Sequence, residues 1–231
     1  MFKKCFRYGN LSGTVAHDRR VGGAPVAVSR TERRANLLHA AQRAVMKHGA
    51  DVQLNQVAAE AGLTSGAVLY HFPDVQTLLV EANRAGMERF YDDRLRRIEG
   101  IAEPDRRLVL TIESGLPVDS DDPAVKLLCE LGGAAGRYPT YAVLLTALFD
   151  RQVAMYQIIL ESGAAQRVFT LTSPSLTIAR NIVALEDAYG YRMVARHPSL
   201  DADASTELIL DYARVATGHP LPRRADGERT E

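Results

Sequence analysis

Apolar residues recur at intervals of three and four positions along most of the chain, a spacing that places them on one face of an α-helix. Breaks rich in glycine, proline and aspartate divide this pattern into segments. We predict an all-α protein whose helices cover residues 30–48, 54–61, 64–71, 75–100, 104–115, 123–138, 140–162, 175–195 and 202–217.

The stretch from residue 53 to residue 73 predicts two short helices joined by a tight turn. The apolar face of the first helix consists of Leu54, Val57, Ala58 and Ala61. Gly62 then supplies the permissive backbone that ends this helix, and Leu63 is predicted to return to the core. Pro73 is predicted to stop the second helix, because the residue before a proline avoids helical geometry.

The second helix of this pair has the features of a surface that approaches DNA. Thr64 or Ser65 can cap its first turn, and Val68 and Leu69 are predicted to lie on its buried side. Small residues allow the backbone to come close to DNA, while hydroxyl and imidazole groups can bond phosphates or base edges. The predicted outer side consists of Thr64, Ser65, Gly66, Tyr70 and His71.

A helix, a glycine turn and a capped second helix together form the helix-turn-helix pattern, in which the second helix enters a DNA groove. The same pattern also fits a packed helical hairpin that binds no ligand. The residues alone leave both interpretations open.

The segment VAAEAGLTSGAVLYHFPDVQTLL resembles the signature of TetR-family regulators, and the resemblance extends over about residues 31–80. Its Tyr-His-Phe core is quite specific. The resemblance implies that the first three helices bind DNA, while the larger C-terminal part binds a small effector and dimerises. It assigns DNA contact to Thr64, Ser65, Gly66, Tyr70 and His71, and it places Phe72 in the core.

Two positions depart from the family pattern. The family usually has Thr at the start of helix 2, where this chain has Gln53. It usually has a phosphate-contacting Lys near the start of helix 4, where this chain has Val75. Gln53 is retained as a candidate DNA contact. Loss of one cationic contact should weaken DNA binding and reduce its salt dependence by about one charge.

The first helix is predicted to begin with a capping box, in which Ser29 caps the amide of Glu32 and the Glu32 carboxylate reaches back. Arg30, Arg33 and Arg34 lie in its first turn, where they oppose the helix dipole. An external phosphate would relieve that cost, so these three arginines are candidate DNA contacts.

The composition is that of an ordinary globular protein, with 46% hydrophobic and 24% charged residues. Two cysteines cannot form a disulfide framework, and no metal or cofactor motif is present. We therefore expect a cytoplasmic protein that binds neither a metal nor a cofactor. No run of uncharged apolar residues approaches the length of a membrane span, so no membrane segment is expected.

The net charge of zero conceals an uneven distribution. Residues 1–50 contain ten Lys or Arg against two acidic residues. A basic end on an acidic body suits a phosphate-binding head, although a solvated basic tail explains half of this excess. We divide the chain into a disordered basic extension (1–28), a helix-turn-helix domain (29–74), a helical effector-binding and dimerisation domain (75–218) and a disordered tail (219–231).

The helix predicted after Val75 is a candidate lever between the head and the body. Its predicted apolar side consists of Leu78, Leu79, Ala82, Met87, Phe90, Tyr91, Leu95 and Ile98. Its predicted polar side consists of Glu88, Arg89, Asp92, Asp93, Arg94, Arg96 and Arg97.

The last two predicted helices carry more apolar surface than a single buried stripe requires. The resembled family dimerises through its last two long helices, and a twofold dimer would match a palindromic site. A helix pair buried within a monomer remains the alternative. The predicted dimer interface consists of Ile178, Ile182, Leu185, Tyr189, Leu208, Tyr212 and Val215.

An effector site is implied by the resemblance and by polar groups among apolar neighbours in the middle helices. Each of these residues also fits a plain surface or core position. The candidate effector contacts are Tyr91, Glu113, Glu130, Tyr141, Phe149, Gln152, Tyr156 and Asn181.

The leading hypothesis is a dimeric repressor that leaves operator DNA when a small effector binds. A helical small-molecule-binding protein with weakened or absent DNA binding is the first alternative. An enzyme is the second, but the chain contains no nucleophile elbow, HExxH motif or dinucleotide loop, so no catalytic residue is assigned.

Overall fold

The computed structural model describes residues 29–221. This part of the chain contains helices and no β-strand. The helices are α1 (Arg30–His48), α2 (Leu54–Ala61), α3 (Ser65–Leu69), α4 (Val75–Arg97), α5 (Pro104–Gly115), α6 (Pro123–Ala134), α7 (Pro139–Ala165), α8 (Ser175–Val194) and α9 (Ala202–Thr217). The predicted all-α fold is confirmed.

Polar caps and prolines begin most of these helices where the sequence predicted. The Ser29 hydroxyl accepts a hydrogen bond from the Glu32 amide at 3.1 Å, and the Glu32 carboxylate accepts one from the Ser29 amide at 2.7 Å. The predicted capping box is therefore confirmed. Asp74, Asp122 and Asp201 cap α4, α6 and α9 in the same way, and prolines occupy the first turn of α5, α6 and α7.

Helices α1, α2 and α3 form a small head, and α4 packs along α1 at its base. Val57, Val68 and Phe72 are at most 1% exposed and hold the head together, which confirms the core position of Phe72. Gly62 adopts the left-handed conformation (φ 65°, ψ 32°), and its amide donates to the Ala58 carbonyl. This cap turns the chain from α2 into α3 as predicted.

Two leucines expected in the head core lie on its surface. Leu63 and Leu69 are each 44% exposed. Helix α3 ends at Leu69 rather than at His71, so it has room for one inward position, which Val68 occupies. Leu69 follows it by about 100° around the helix and therefore points away from the core.

The ends of two long helices also differ from the prediction. Helix α4 ends at Arg97 rather than near Gly100, and Leu95 is 39% exposed instead of joining the apolar side. Helix α7 continues past Gly163 to Ala165. The ring of Phe169 lies directly against Gly163, where a Cβ atom would come within 2.1 Å of a ring carbon. Gly163 therefore allows close packing rather than ending the helix.

Two hydrophobic clusters form the core, and α7 contributes to both. The first surrounds α1 and also contains Leu131 of α6 and Tyr141 and Leu148 from the first half of α7. The second joins α5, α8 and α9 with the second half of α7, including Tyr156 and Ile159. The head is therefore packed against the body through α4, α6 and α7.

By length and composition alone, helix α7 is long and apolar enough to cross a membrane. Its most apolar 18-residue window has a mean hydropathy of 1.3. However, α7 packs against α4, α5, α6 and α8, as the central helix of a globular core does. Packing between helices accounts for the buried part of its apolar surface, such as Tyr156 and Ile159.

The described chain remains packed beyond the predicted start of the tail at residue 219. The rings of His219 and Phe169 meet edge to face with centroids 5.7 Å apart, and Leu221 is 1% exposed. The ordered packing of the body thus continues to Leu221. The predicted basic extension and the rest of the tail lie outside the described residues.

Candidate nucleic-acid interface and internal cavities

Helix α3 presents a polar surface above a closed core. Thr64, Gly66 and Tyr70 are exposed, and Ser65 and His71 are half-buried. The Thr64 hydroxyl accepts a hydrogen bond from the Ala67 amide at 3.3 Å and so caps α3. The structure therefore places the five candidate residues of this segment together at the head surface.

The space around Gly66 is open. A Cβ atom at Gly66 would meet nothing within 4 Å. The protein's own packing therefore does not require glycine here. A backbone that an external molecule approaches closely does benefit from the absence of a side chain.

Arg34 is engaged within the protein and does not stand free for a phosphate. Its guanidinium donates to the His71 carbonyl at 2.9 Å and to the Glu81 carboxylate at 2.5 Å. It also stacks on the Phe72 ring, 4.1 Å from the ring centroid. These contacts fasten the end of the α3 segment to α1 and α4, so we assign Arg34 a positioning role.

The other candidate DNA contacts outside α3 are exposed. Arg30 and Arg33 lie on the first turn of α1. Gln53 precedes α2, where its backbone amide donates to Gln56 Oε1 at 2.7 Å and its side chain donates to the Asp51 carbonyl at 2.9 Å. Gln53 thus takes the capping place at which the family usually has Thr.

The start of α4 is apolar and capped by an acid. Val75 packs against the first hydrophobic cluster. Hydrogen bonds from Thr77 lower the pKa of the Asp74 carboxyl, which caps the helix. Val75, at the position where the family usually has lysine, therefore packs against the core in this chain.

The positioning role of Arg34 predicts how an Arg34→Met variant behaves. The variant should lose about 1 kcal/mol of stability, since a half-exposed ion pair and a ring contact disappear. Its DNA affinity should fall while the slope of log affinity against log salt stays unchanged, because no phosphate contact is removed. Fluorescence anisotropy over a salt series measures this. A slope smaller by about one would instead make Arg34 a phosphate contact.

A cavity of about 610 Å³ lies where the head meets the body, and we call it the junction cavity. Helix α1 contributes Gln42 and Met46, and α5, α6 and α9 close the other sides. The wall formed by α4 consists of Gly86, Arg89, Phe90, Asp93, Arg94 and Arg97.

A second cavity of about 600 Å³, the body cavity, lies among α6, α7 and α8. Its apolar wall includes Leu128, Leu145 and Phe149. Its polar groups are fewer than those of the junction cavity and include Glu186 and Asp187 of α8. Either cavity is large enough for a small organic ligand.

Three of the predicted effector contacts line a cavity. Glu113 lies in the wall of the junction cavity, and Phe149 and Gln152 lie in the wall of the body cavity. The predicted effector contacts that line neither cavity are Tyr91, Glu130, Tyr141, Tyr156 and Asn181.

Each of these five residues has an identifiable position in the fold. Tyr91 lies beneath the Arg151 guanidinium, 3.9 Å from its ring centroid. Asn181 donates to the Tyr212 hydroxyl at 2.8 Å between α8 and α9. Glu130 is exposed on α6. The two remaining tyrosines are buried in the hydrophobic clusters.

A buried ion pair joins the walls of the two cavities. Arg94 of α4 and Glu186 of α8 are 1% and 2% exposed, and Arg94 Nη2 lies 2.8 Å from Glu186 Oε1. The same Nη2 donates to the Thr111 carbonyl and to the Tyr156 hydroxyl, each at 3.0 Å. Tyr156 in turn donates to Glu186. The prediction that Arg94 lies on the polar side of its helix is therefore wrong.

Burial dominates the electrostatics of this region. Burial raises the pKa of Glu186 to about 7, although Arg94 opposes the change. Burial alone would lower the pKa of Arg94, but the charge interactions and hydrogen bonds of Glu186 and Tyr156 together more than offset it, so the pKa is raised and the guanidinium stays charged. Burial likewise raises the pKa of the neighbouring Asp187 to about 6. The shifts of the two carboxyl groups come from desolvation, which penalises a buried charge.

Two of the predicted dimer contacts are excluded by burial within the subunit. Ile178 and Ile182 are fully buried in the second cluster, so they have no surface to offer a partner. Leu208 and Val215 are 43% and 74% exposed on α9. The half-buried candidates are Leu185, Tyr189 and Tyr212.

The described fold and its head match known regulators. Residues 37–82 match the family model of bacterial regulatory proteins of the tetR family. No curated protein matches the chain significantly in sequence.

Three solved structures illustrate the likeness over the whole fold. A transcriptional regulator from Saccharomonospora viridis in complex with choline is 22% identical, with a TM-score of 0.73, and covers 80% of this chain and 96% of its own. A TetR transcription regulator from Haloarcula marismortui is 21% identical, with a TM-score of 0.72, and covers 81% of this chain and 99% of its own. A TetR-family regulator from a Rhodococcus species is 20% identical, with a TM-score of 0.70, and covers 80% and 98%.

Residues 37–82 thus match the tetR family of bacterial regulatory proteins, and the described chain has the fold of TetR-family regulators of transcription. The family resemblance stated from the sequence is thereby confirmed. The head is the DNA-binding unit that such regulators share.

Proposed function

We propose that this protein is a cytoplasmic, dimeric repressor that binds operator DNA through α3 and is released by a small-molecule effector. Residues 29–74 would read DNA, and residues 75–218 would hold the effector and the partner subunit. The observation that carries the proposal is the exposed polar surface of α3 over the buried Val68 and Phe72. None of residues 29–221 covers this surface.

DNA contact is assigned to the side chains that this surface exposes. Thr64, Ser65, Tyr70 and His71 offer hydrogen-bonding groups, and Gly66 lets the backbone approach. Arg30, Arg33 and Gln53 lie at the exposed starts of α1 and α2, where backbone phosphates are the expected partners.

The most direct test is selection of genomic fragments by the purified protein, followed by mobility shifts over a salt series. A palindromic site with half-sites about 34–36 Å apart is expected, because a twofold dimer presents two copies of α3. Affinity should fall steeply with salt. Failure to bind any fragment at low salt would overturn the proposal.

The dimer is proposed through α8 and α9. Leu208 and Val215 are seven residues apart and therefore lie on the same side of α9, two turns from each other. Tyr212 lies between them and is held by Asn181 of α8. Exposed apolar side chains in this register form a strip that a second copy can cover.

A Val215→Asp variant should therefore dissociate into monomers while remaining folded, because Val215 is 74% exposed and its side chain contributes little to the packing of the subunit. Its operator affinity should fall by at least about tenfold, since the second head no longer binds cooperatively. Light scattering after gel filtration measures the mass. The matched control is Val143→Asp, because Val143 is 67% exposed on α7 outside this strip. Equal masses for both variants would show that the dimer interface lies on another surface.

An effector is proposed because the body contains two ligand-sized cavities and because the related structure from Saccharomonospora viridis holds choline. Release from DNA requires that the effector prefer one conformation of the dimer. The junction cavity is the better placed of the two, since α1 of the head and α4 of the body both line it.

A helical small-molecule-binding protein with weakened DNA binding is the second candidate. It is favoured by Val75 in place of the usual lysine and by the engagement of Arg34 within the protein. Tight ligand binding with no retained genomic fragment would select it.

A further inference from the structure

We propose that the junction cavity binds an anionic small molecule, specifically a carboxylate with an apolar body, between the guanidinium groups of α4. The inference rests on the proposed effector-responsive function and adds the chemical class of the effector.

The wall formed by α4 presents three arginines to the cavity. Arg89, Arg94 and Arg97 all line it. Arg89 contacts Gln42 Oε1 at 2.6 Å and His39 Nδ1 at 3.3 Å, and neither partner is a carboxylate. Arg97 is exposed and forms no ion pair with another described residue. Two of the three cations therefore lack an anionic partner within residues 29–221.

Arg94 adds unused donors to this wall. Its Nη2 makes all of its hydrogen bonds, to Thr111, Tyr156 and Glu186. Its Nε and Nη1 are buried, and no described residue accepts a hydrogen bond from them. A buried donor without an acceptor is costly, so a ligand oxygen in the cavity would satisfy an existing requirement.

The carboxylates of the lining only partly offset these cations. Asp93 pairs with Arg96, and Asp122 accepts hydrogen bonds from the amides at the start of α6. Glu113 on α5 faces the same cavity and acts against an anion. Glu113 is the third acidic residue of the lining, after Asp93 and Asp122.

The charge of Arg94 is already balanced by Glu186. A ligand carboxylate therefore needs its charge matched by Arg89 and Arg97, while Arg94 supplies donors at the inner end. The carboxylate of the ligand would therefore lie along the α4 wall, within reach of guanidinium groups, which bind carboxylates well.

The remaining lining is suited to an apolar body. Met46, Phe90, Leu116 and Leu127 come from four separate segments and enclose the space next to the arginines. A volume of about 610 Å³ exceeds the needs of an inorganic anion and fits an organic acid.

Binding at this site would reach the head directly. Gln42 of α1 is 6% exposed, accepts from Arg89 and donates to the Ala82 carbonyl of α4. A Cβ atom at Gly86 would lie 2.9 Å from Leu127 and 3.1 Å from Gln42, so α1, α4 and α6 meet closely here. An anion that draws Arg89 away from Gln42 changes the contact that sets α1 on α4.

The test uses the full chain and three probes of the same shape: 4-phenylbutyrate, its neutral amide 4-phenylbutanamide, and the cation 4-phenylbutylamine. Calorimetry without DNA should show that the carboxylate binds about tenfold or more tightly than the amide, and that the amine does not bind. The Arg97→Gln and Arg89→Gln variants should each weaken carboxylate binding by roughly tenfold. The Glu113→Gln variant should strengthen it.

The matched control is Arg84→Gln, which removes the same charge from an exposed position of α4 outside the lining. It should bind 4-phenylbutyrate as the unaltered chain does. Equal binding of acid and amide, no binding of the acid, or an equal loss in the Arg84→Gln control would overturn the inference. Because calorimetry is done without DNA, its outcome is independent of fragment selection, so a failure of the site and a failure of the repressor proposal are distinguishable.

Discussion

Replacing Arg94 by methionine is expected to lower the free energy of unfolding by about 3–5 kcal/mol, because it leaves the Glu186 carboxylate buried without its cation. For a chain of this size the melting temperature should fall by about 10 °C. Differential scanning calorimetry measures both quantities.

The loss should also depend on pH with a defined sign. In the unaltered protein the pKa of Glu186 rises from 4.5 to about 7 on folding. The folded state therefore keeps a proton that the unfolded state releases, and this contribution to stability is lost as the pH rises from 4.5 through 7. Without Arg94 the pKa rises further, so the Arg94→Met variant should lose more stability at pH 8 than at pH 6.

A double replacement separates the ion pair from its surroundings. The Arg94→Met, Glu186→Met variant removes both charges and should recover most of the lost stability, because a buried ion pair contributes little beyond its apolar substitute. A double variant as unstable as Arg94→Met would show that packing, rather than the unpaired carboxylate, causes the loss.

Replacing Gly66 by leucine should change DNA affinity and stability in opposite directions. A side chain at Gly66 meets nothing within the protein, and leucine favours a helix over glycine by about 1 kcal/mol, so the melting temperature should stay constant or rise. Operator affinity should fall by about tenfold or more, because the side chain separates the α3 backbone from DNA. Anisotropy and calorimetry on the same samples measure the two effects.

The control for added bulk is Ala147→Leu, at an exposed position of α7 in the body. It should leave operator affinity unchanged. Unaltered affinity in the Gly66→Leu variant would place the DNA contact on another surface.

Helix boundaries were predictable where a residue has a local physical reason to begin or end a helix. The capping box at Ser29 and the left-handed Gly62 act within four residues of themselves, and both have the predicted roles. Gly163 misled the prediction, because its role depends on the Phe169 ring six residues later. Glycine at a close approach looks the same in sequence as glycine at a helix end.

The buried ion pair was missed because Arg94 was placed on the polar side of its helix by its charge, and its position in the helical repeat was not considered. Arg94 has charged neighbours in sequence, yet it continues the apolar stripe of Met87, Tyr91 and Ile98 at helical spacing. Glu186 stands in the same way between Ile182 and Gly190 on α8. Opposite charges on the apolar stripes of two helices were the available signal, but only tertiary packing shows that the two helices meet.

The DNA-binding surface was more predictable than the effector site for a related reason. The surface lies within one short segment, so exposure followed from local pattern except at Leu63 and Leu69. A cavity depends on how five helices pack, and aromatic or acidic character did not reveal which residues line it. Only Glu113, Phe149 and Gln152 of the predicted set line either cavity.

The length of α7 makes the head and the body one cooperative unit. At 27 residues it is about 40 Å long, and its two halves complete different hydrophobic clusters. Melting either cluster would strip one half of this helix of its packing and so weaken the other cluster. Local unfolding of the body therefore also destabilises the head. An effector that reduces the motion of the body could then change operator occupancy by making the head more rigid, without a change in its average structure.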